Sequence, residues 1–199
     1  MTSANFGNMV SMALATPLLP FLPLTATQIL PNNLLSDLPA LMLSGDRVDA
    51  HQLDRPRRWD HRRVRRFMLV YGLTSSVFDL LAFAMLRAVF HAPQEVFRSA
   101  WFLVSLVTEL AVLLVLRTAG PSWRSRPSPA LLGTTLAVAA VALALPWVPP
   151  AAGLFGLVPL PLPLLAASAG LVLLYLAVTE ALKLALARHE RRAGAGRHP

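Results

Sequence analysis

The chain has 199 residues, is 55% hydrophobic and only 14% charged, and carries a formal net charge of +8. That length would suit one or two soluble domains, but the apolar runs are long and nearly free of charge, which excludes a soluble core of any size. With no cysteine, a disulfide framework and a thiolate metal site are excluded as well. No signal peptide is expected, because Met1 is followed by polar residues and the first basic residue is Arg47.

A helical membrane span needs about 17–25 mostly apolar residues. Six stretches meet this, at 4–22, 24–43, 67–90, 99–117, 130–148 and 160–187. The expected fold is all-α: a polytopic membrane protein with six transmembrane helices. Sixteen of the 18 Lys and Arg fall in 47–66, 117–126 and 183–197, after the second, fourth and sixth spans. Those segments share one side, and the excess of basic residues makes that side cytoplasmic, with both termini on it. The expected parts are a first helix pair over 1–43, a basic cytoplasmic loop over 44–66, a four-helix support domain over 67–187 and a basic tail over 188–199.

In the first span, Asn5 and Asn8 are spaced i,i+3 and can share a helix face; an N-terminal capping role is the alternative. Pro17, Pro20 and Pro23 end the helix in a tight outer turn. The span looks like the inner half of a helix whose earlier turns are missing. The second span holds the most informative stretch. Asn33 and Asp37 lie i,i+4 on one helix face, in the middle of an apolar segment, between Pro31 and Pro39. A carboxylate at that depth is costly and marks a functional site. Each proline removes a backbone donor and frees a carbonyl, which predicts a kinked helix with oxygen atoms converging at membrane depth. Hard cations select such oxygens, and broken helices build ion sites in transporters. The competing reading is that Asn33 and Asp37 only pair with polar groups on neighbouring helices.

The loop 44–66 carries eight arginines and Trp59, which suits a topology anchor against anionic lipid. Nucleic acid is the weaker alternative, since no soluble fold presents the basic residues. Asp79, several turns into the third span, needs a partner and is expected to serve helix packing. Glu109, about two turns from the cytoplasmic end of the fourth span, either snorkels or pairs with an arginine, or contributes to an ion site. The fifth span, built of Ala, Leu and Val, is expected as lipid-facing scaffold. Residues 146–163 form an outer loop rich in Pro and Gly, and Glu180 with Lys183 forms an i,i+3 pair. The histidines show no zinc spacing, and neither a phosphate-binding glycine loop nor a nucleophile elbow is present.

Taken together, Asn5-Phe-Gly-Asn8, Pro20-Phe-Leu-Pro23 and Asn33-Leu-Leu-Ser-Asp37 resemble the fifth and sixth membrane helices of P-type cation pumps. Arg55-Pro-Arg-Arg-Trp-Asp60, Arg66-Phe-Met-Leu69, Gly72-Leu-Thr-Ser-Ser-Val-Phe-Asp79, Trp101-Phe102, Leu116-Arg-Thr118 and Pro159-Leu-Pro161 narrow the resemblance to the magnesium-translocating branch. It covers essentially the whole chain. By that resemblance the metal ligands fall at Asn5 and Asn8, at Asn33, Ser36 and Asp37, and at Glu109. Asn8 stands where related calcium pumps have an acid, which fits one divalent ion that keeps some water, as magnesium does.

The family's ATP chemistry needs an Asp-Lys-Thr-Gly motif, a nucleotide domain and an actuator loop, and these 199 residues hold none of them. The resemblance therefore implies the membrane part of a P-type ATPase that imports magnesium, as a fragment that alone neither hydrolyses ATP nor pumps. Mg2+ is the implied cargo, and ATP acts only through the missing domains. The implied partners are the lipid bilayer and a separate chain carrying the catalytic domains and first four helices, with no nucleic acid, in a bacterial inner membrane. On its own, Asp37 would be an unpaired buried carboxyl. The alternatives are a structural or regulatory membrane protein that associates with a full-length pump, and a stand-alone secondary transporter or channel. Against the last, no internal repeat relates the first three spans to the last three.

Overall fold

The computed structural model describes residues 2–17, 19–46, 61–118 and 120–195, with residues 2–6, 61–64 and 189–195 described by backbone alone. Among these the elements are helical: α1 Thr2–Ala15, α2 Ala26–Met42, α3 His61–Ala84, α4 Gln94–Leu116, α5 Pro129–Ala144, α6 Pro149–Phe155 and α7 Leu162–Ala195. Most of the basic loop, residues 47–60 with Trp59, and the tail beyond 195 lie outside the described residues.

Among the described residues, four stretches are long and apolar enough to cross a membrane: Arg65–Val89, Gln94–Leu116, Pro129–Trp147 and Leu162–Arg188. α1 and α2 have 14 and 17 residues, about 21 and 25 Å of helix, short of the ~30 Å hydrocarbon core. The expected span 4–22 includes residues around Pro17 and Pro20 that lie outside helix, whereas 24–43 is helical over Ala26–Met42 and is short by its length alone. The helix beginning at His61 takes in basic residues expected in the loop, because an arginine-rich turn can extend a span into the interface without being apolar. The expected outer loop 146–163 contains α6, which starts on Pro149 and ends on Gly156 at φ +61°, the left-handed cap that glycine adopts without a Cβ penalty.

Local chemistry sets the helix ends. Gln28 at the third position of α2 reaches back, its Oε1 accepting from the Thr25 backbone N–H at 3.1 Å. Ser128 caps α5 through its hydroxyl, which accepts from Leu131 N at 3.3 Å, with Pro129 in the first turn. α3 ends in a π-turn over Met85–Val89, and the next loop holds His91 at φ +47°.

α4 is the centre of the molecule. Two-thirds of its span is buried (67%), against 28% for each of the spans in α5 and α7, so α5 and α7 are peripheral and present Leu136, Val141, Leu173 and Leu174 outward. The α4 side chains Phe97, Trp101, Phe102 and Leu106 are fully buried, and Phe83 of α3 stacks edge-on against Trp101 at 4.8 Å. α1 packs along α3, whereas α2 packs on α4 and α5. The α1–α3 crossing is close because Gly7 lacks a side chain: a Cβ there would lie 2.9 Å from Ser75 Cβ and 3.0 Å from Gly72 O.

Candidate functional site

The structure runs α2 as one helix through both Pro31 and Pro39. Its buried face is Gln28, Asn32, Ser36 and Pro39. The first three are spaced four apart, so a polar stripe, not an apolar one, faces the core. Gln28 Nε2 donates to Gly156 O at 3.4 Å, and Asn32 Nδ2 donates to Ser105 Oγ at 2.7 Å. One turn further along both helices come Ser36 on α2 and Glu109 on α4.

Ser36 and Glu109 line one cavity of about 180 Å³. The Ser36 hydroxyl donates to Asn33 O at 3.0 Å. Glu109 is buried, and neither of its carboxylate oxygens has a hydrogen-bond partner among the described residues; Asn32 Oδ1 is in the same condition. Three acceptor oxygens without donors, with hydroxyls close by, suit a cation or water and leave an uncovered cost if the region stays dry.

The remaining residues singled out from the sequence lie elsewhere. Asn33 is half-buried and Asp37 exposed, on the α2 face that also presents Leu30, Leu34 and Leu41 outward. Within the chain Asp37 is therefore not packed between helices: its shared face with Asn33 turns away from α4 and α5. Asn8 is half-buried on α1, and neither it, Asn33 nor Asp37 lines the Ser36–Glu109 cavity. The Asn5 side chain lies outside the described residues, although its backbone is helical. Among the described residues no group of three His, Cys, Asp or Glu is placed to hold a metal, so any cation here would rely on amide and hydroxyl oxygens beside single carboxylates.

Asp79 serves packing. Its Oδ2 accepts from Ser11 Oγ at 2.6 Å and its Oδ1 from Trp101 Nε1 at 3.3 Å, joining α1, α3 and α4. Glu180 and Lys183 do form their i,i+3 pair at 2.8 Å, and both bond onward, Lys183 Nζ to Val115 O and Glu180 Oε1 from Ser122 N. The sequence reading assigned no role to Gln28 and Ser105 and did not separate Asn32 from Asn33. The signal for Gln28 and Asn32 was the four-residue spacing with Ser36; Ser105 and Glu109 repeat that spacing on α4. It also passed over Asp46, whose carboxylate accepts from Arg117 Nη1 at 2.9 Å and from Ser128 N at 2.7 Å. A wider cleft of about 530 Å³ lies at the opposite end of α4, between Gln28, Glu95, Arg98 and the α6 turn.

The profile of the family described as "Cation transporting ATPase, C-terminus" matches residues 21–185. A "Magnesium-transporting ATPase, P-type 1" of Salmonella typhimurium strain LT2 is 40% identical over 165 residues, 80% of this chain and 18% of that protein. One of the same name from Escherichia coli K12 is 38% identical over 152 residues, 74% of this chain and 17% of that protein. The chain thus spans less than a fifth of the length of these relatives. With all-α architecture, apolar helices long enough to span and a family match over most of its length, the chain belongs to the cation-transporting ATPase family and corresponds to the C-terminal membrane part of a P-type ATPase.

Proposed function

We propose that this chain forms part of the membrane domain of a P-type pump that carries a divalent cation, magnesium, into the cell. Its six membrane segments would include α1 and α2, completed across the bilayer by their proline-rich flanks, with both termini and the 44–66 loop on the cytoplasmic side. Asn33, Ser36 and Asp37 on α2, Asn5 and Asn8 on α1 and Glu109 on α4 would hold the ion. ATP would act through a phosphorylation and nucleotide-binding part that lies outside these 199 residues, together with further membrane helices.

The observation that carries this reading is the state of α2. It offers two adjacent oxygen-bearing faces, one against Glu109 and one, with Asn33 and Asp37, turned outward among exposed leucines. A carboxylate facing lipid is unfavourable by about 2.5–3.5 kcal/mol, so the outward face calls for a polar partner: a cation and the helices that complete its cage. The names of the relatives support magnesium as that cation. Amide and hydroxyl oxygens with few carboxylates suit an ion that keeps part of its water.

The test uses lipid vesicles containing the full chain together with a polypeptide that carries the phosphorylation and nucleotide-binding domains and the first four helices. Magnesium-stimulated ATP hydrolysis and magnesium uptake are expected in the pair, not in either alone, and are expected to be lost in Asp37→Asn. Hydrolysis or uptake that persists undiminished in Asp37→Asn would overturn the site. No activity in the pair, with co-purification of the two polypeptides, would favour a structural or regulatory membrane partner instead.

A further inference from the structure

The segment between α4 and α5 is tied down from three sides through every third residue. Ser122 N donates to Glu180 Oε1 of α7 at 2.9 Å, Arg117 Nη2 at the end of α4 donates to Ser125 O, and Ser128 N donates to Asp46 Oδ1, just past α2, at 2.7 Å. The residues between these contacts turn outward. Trp123 is 70% exposed, and Arg124 and Arg126 are exposed as well, with no hydrogen bond or ion pair to either guanidinium among the described residues. One large ring and two cationic forks thus project from a backbone that is already ordered, which lowers the entropy lost on receiving a ligand.

The adjoining span says what meets them. Pro129–Trp147 is only 28% buried, which leaves most of its surface to lipid. Its 19 residues reach about 28 Å, close to the ~30 Å hydrocarbon core. Trp147, 53% exposed, closes that span at one end, and Trp123 lies just before it at the other. Tryptophans in these two places mark the two membrane interfaces, which puts Trp123 at the level of the lipid headgroups. The anion that an arginine meets at that level is a lipid phosphate, which a planar guanidinium takes in two parallel hydrogen bonds. Segment 120–128 carries no acidic residue of its own to compete.

We propose that Trp123, Arg124 and Arg126 form a seat for the phosphate of an anionic phospholipid, with the indole against the upper acyl chains and the two guanidinium groups on the headgroup. This seat is separate from the basic loop 44–66 and does not rest on the pump reading above.

The chain has four tryptophans, so the Trp123 signal is the difference in fluorescence between the full chain and Trp123→Phe. Both are placed in nanodiscs of brominated phosphatidylcholine, whose bromines quench a ring they touch. Unbrominated phosphatidylglycerol is expected to relieve that quenching better than unbrominated phosphatidylcholine, with a relative binding constant of about 25, or about fivefold for each arginine. Arg124→Gln or Arg126→Gln is expected to lower the constant about fivefold, and the double variant to bring it near one. Arg87→Gln, at the other end of α3, is expected to leave it unchanged. Equal relief by the two lipids, or a preference that survives the double variant, would overturn the seat. A Trp123 signal that brominated lipid does not quench would place the segment away from the bilayer, against a protein partner, and overturn it too. Loss of the preference in inorganic phosphate, but not in sodium chloride of the same ionic strength, would assign the site to the free anion and overturn the lipid. The substituted side chains are exposed, so the variants are expected to fold. The readout needs neither ATP nor transport, so these results are independent of whether the pump assembles.

Discussion

Asp79 carries the most direct test of how the helices are held. It is 4% exposed and takes the Ser11 hydroxyl at 2.6 Å and the Trp101 indole N–H at 3.3 Å. Asp79→Ala removes both acceptors; the Ser11 hydroxyl can still donate to Gly7 O at 2.8 Å, so the Trp101 N–H is the donor left stranded between the helices. Interhelical hydrogen bonds in membrane proteins average about 0.6 kcal/mol and reach about 1.7, while a stranded buried polar group costs about 1–3 kcal/mol. The 2.6 Å contact belongs near the upper end and the 3.3 Å contact near the lower. Asp79→Ala is therefore expected to destabilise the chain by about 2–3 kcal/mol, and Ser11→Ala by about 1 kcal/mol. The double variant is expected to fall short of the sum by about 0.6–1.7 kcal/mol, the coupling of the pair. Equilibrium unfolding in mixed micelles with increasing dodecyl sulfate, followed by tryptophan fluorescence, measures all four proteins, with Trp101 reporting from the site itself. A coupling below about 0.3 kcal/mol would mean that the Ser11–Asp79 contact does not join α1 to α3.

Three further outcomes use the same unfolding assay. Gly7→Val should cost about 1–3 kcal/mol, since even a Cβ at Gly7 meets Ser75 Cβ at 2.9 Å; an unchanged midpoint would show that α1 and α3 can separate freely. Arg117→Met should cost about 1.5–3 kcal/mol by removing its charged hydrogen bond to Asp46, and Asp46→Leu combined with Arg117→Met should cost less than the sum of the two single variants; strict additivity would point to the Ser125 and Ser128 contacts instead. His91→Gly should stabilise by about 1 kcal/mol, because His91 sits at φ +47°, where an L side chain is strained; a loss of stability would show that the His91 side chain holds the loop.

The apolar runs of the chain already announce an all-α membrane protein, because the bilayer leaves a polypeptide few other ways to satisfy its backbone. The proline clusters place the breaks between helices, and the i,i+3 spacing of Glu180 and Lys183 sets their pairing, since that contact depends on nothing outside one helix. The motifs around Asn33-Leu-Leu-Ser-Asp37 and Gly72 to Asp79 were enough to point to the family. What could not be read from one strand of text is which face of each helix meets which neighbour. Asn33 and Asp37 stood out because they are one polar and one charged residue in an apolar run, yet tertiary packing turns Gln28, Asn32 and Ser36 inward and Asp37 outward. The difference is a rotation of about 100° per residue about the helix axis, and only the fit of α2 against α4 and α5 decides it. The same holds for Asp46 and Arg117, 71 residues apart, and for Ser11 and Asp79, 68 apart. Short-range periodicity determines the elements of this protein, and the burial of polar groups between distant helices, where each must find a partner or water, decides where its chemistry lies.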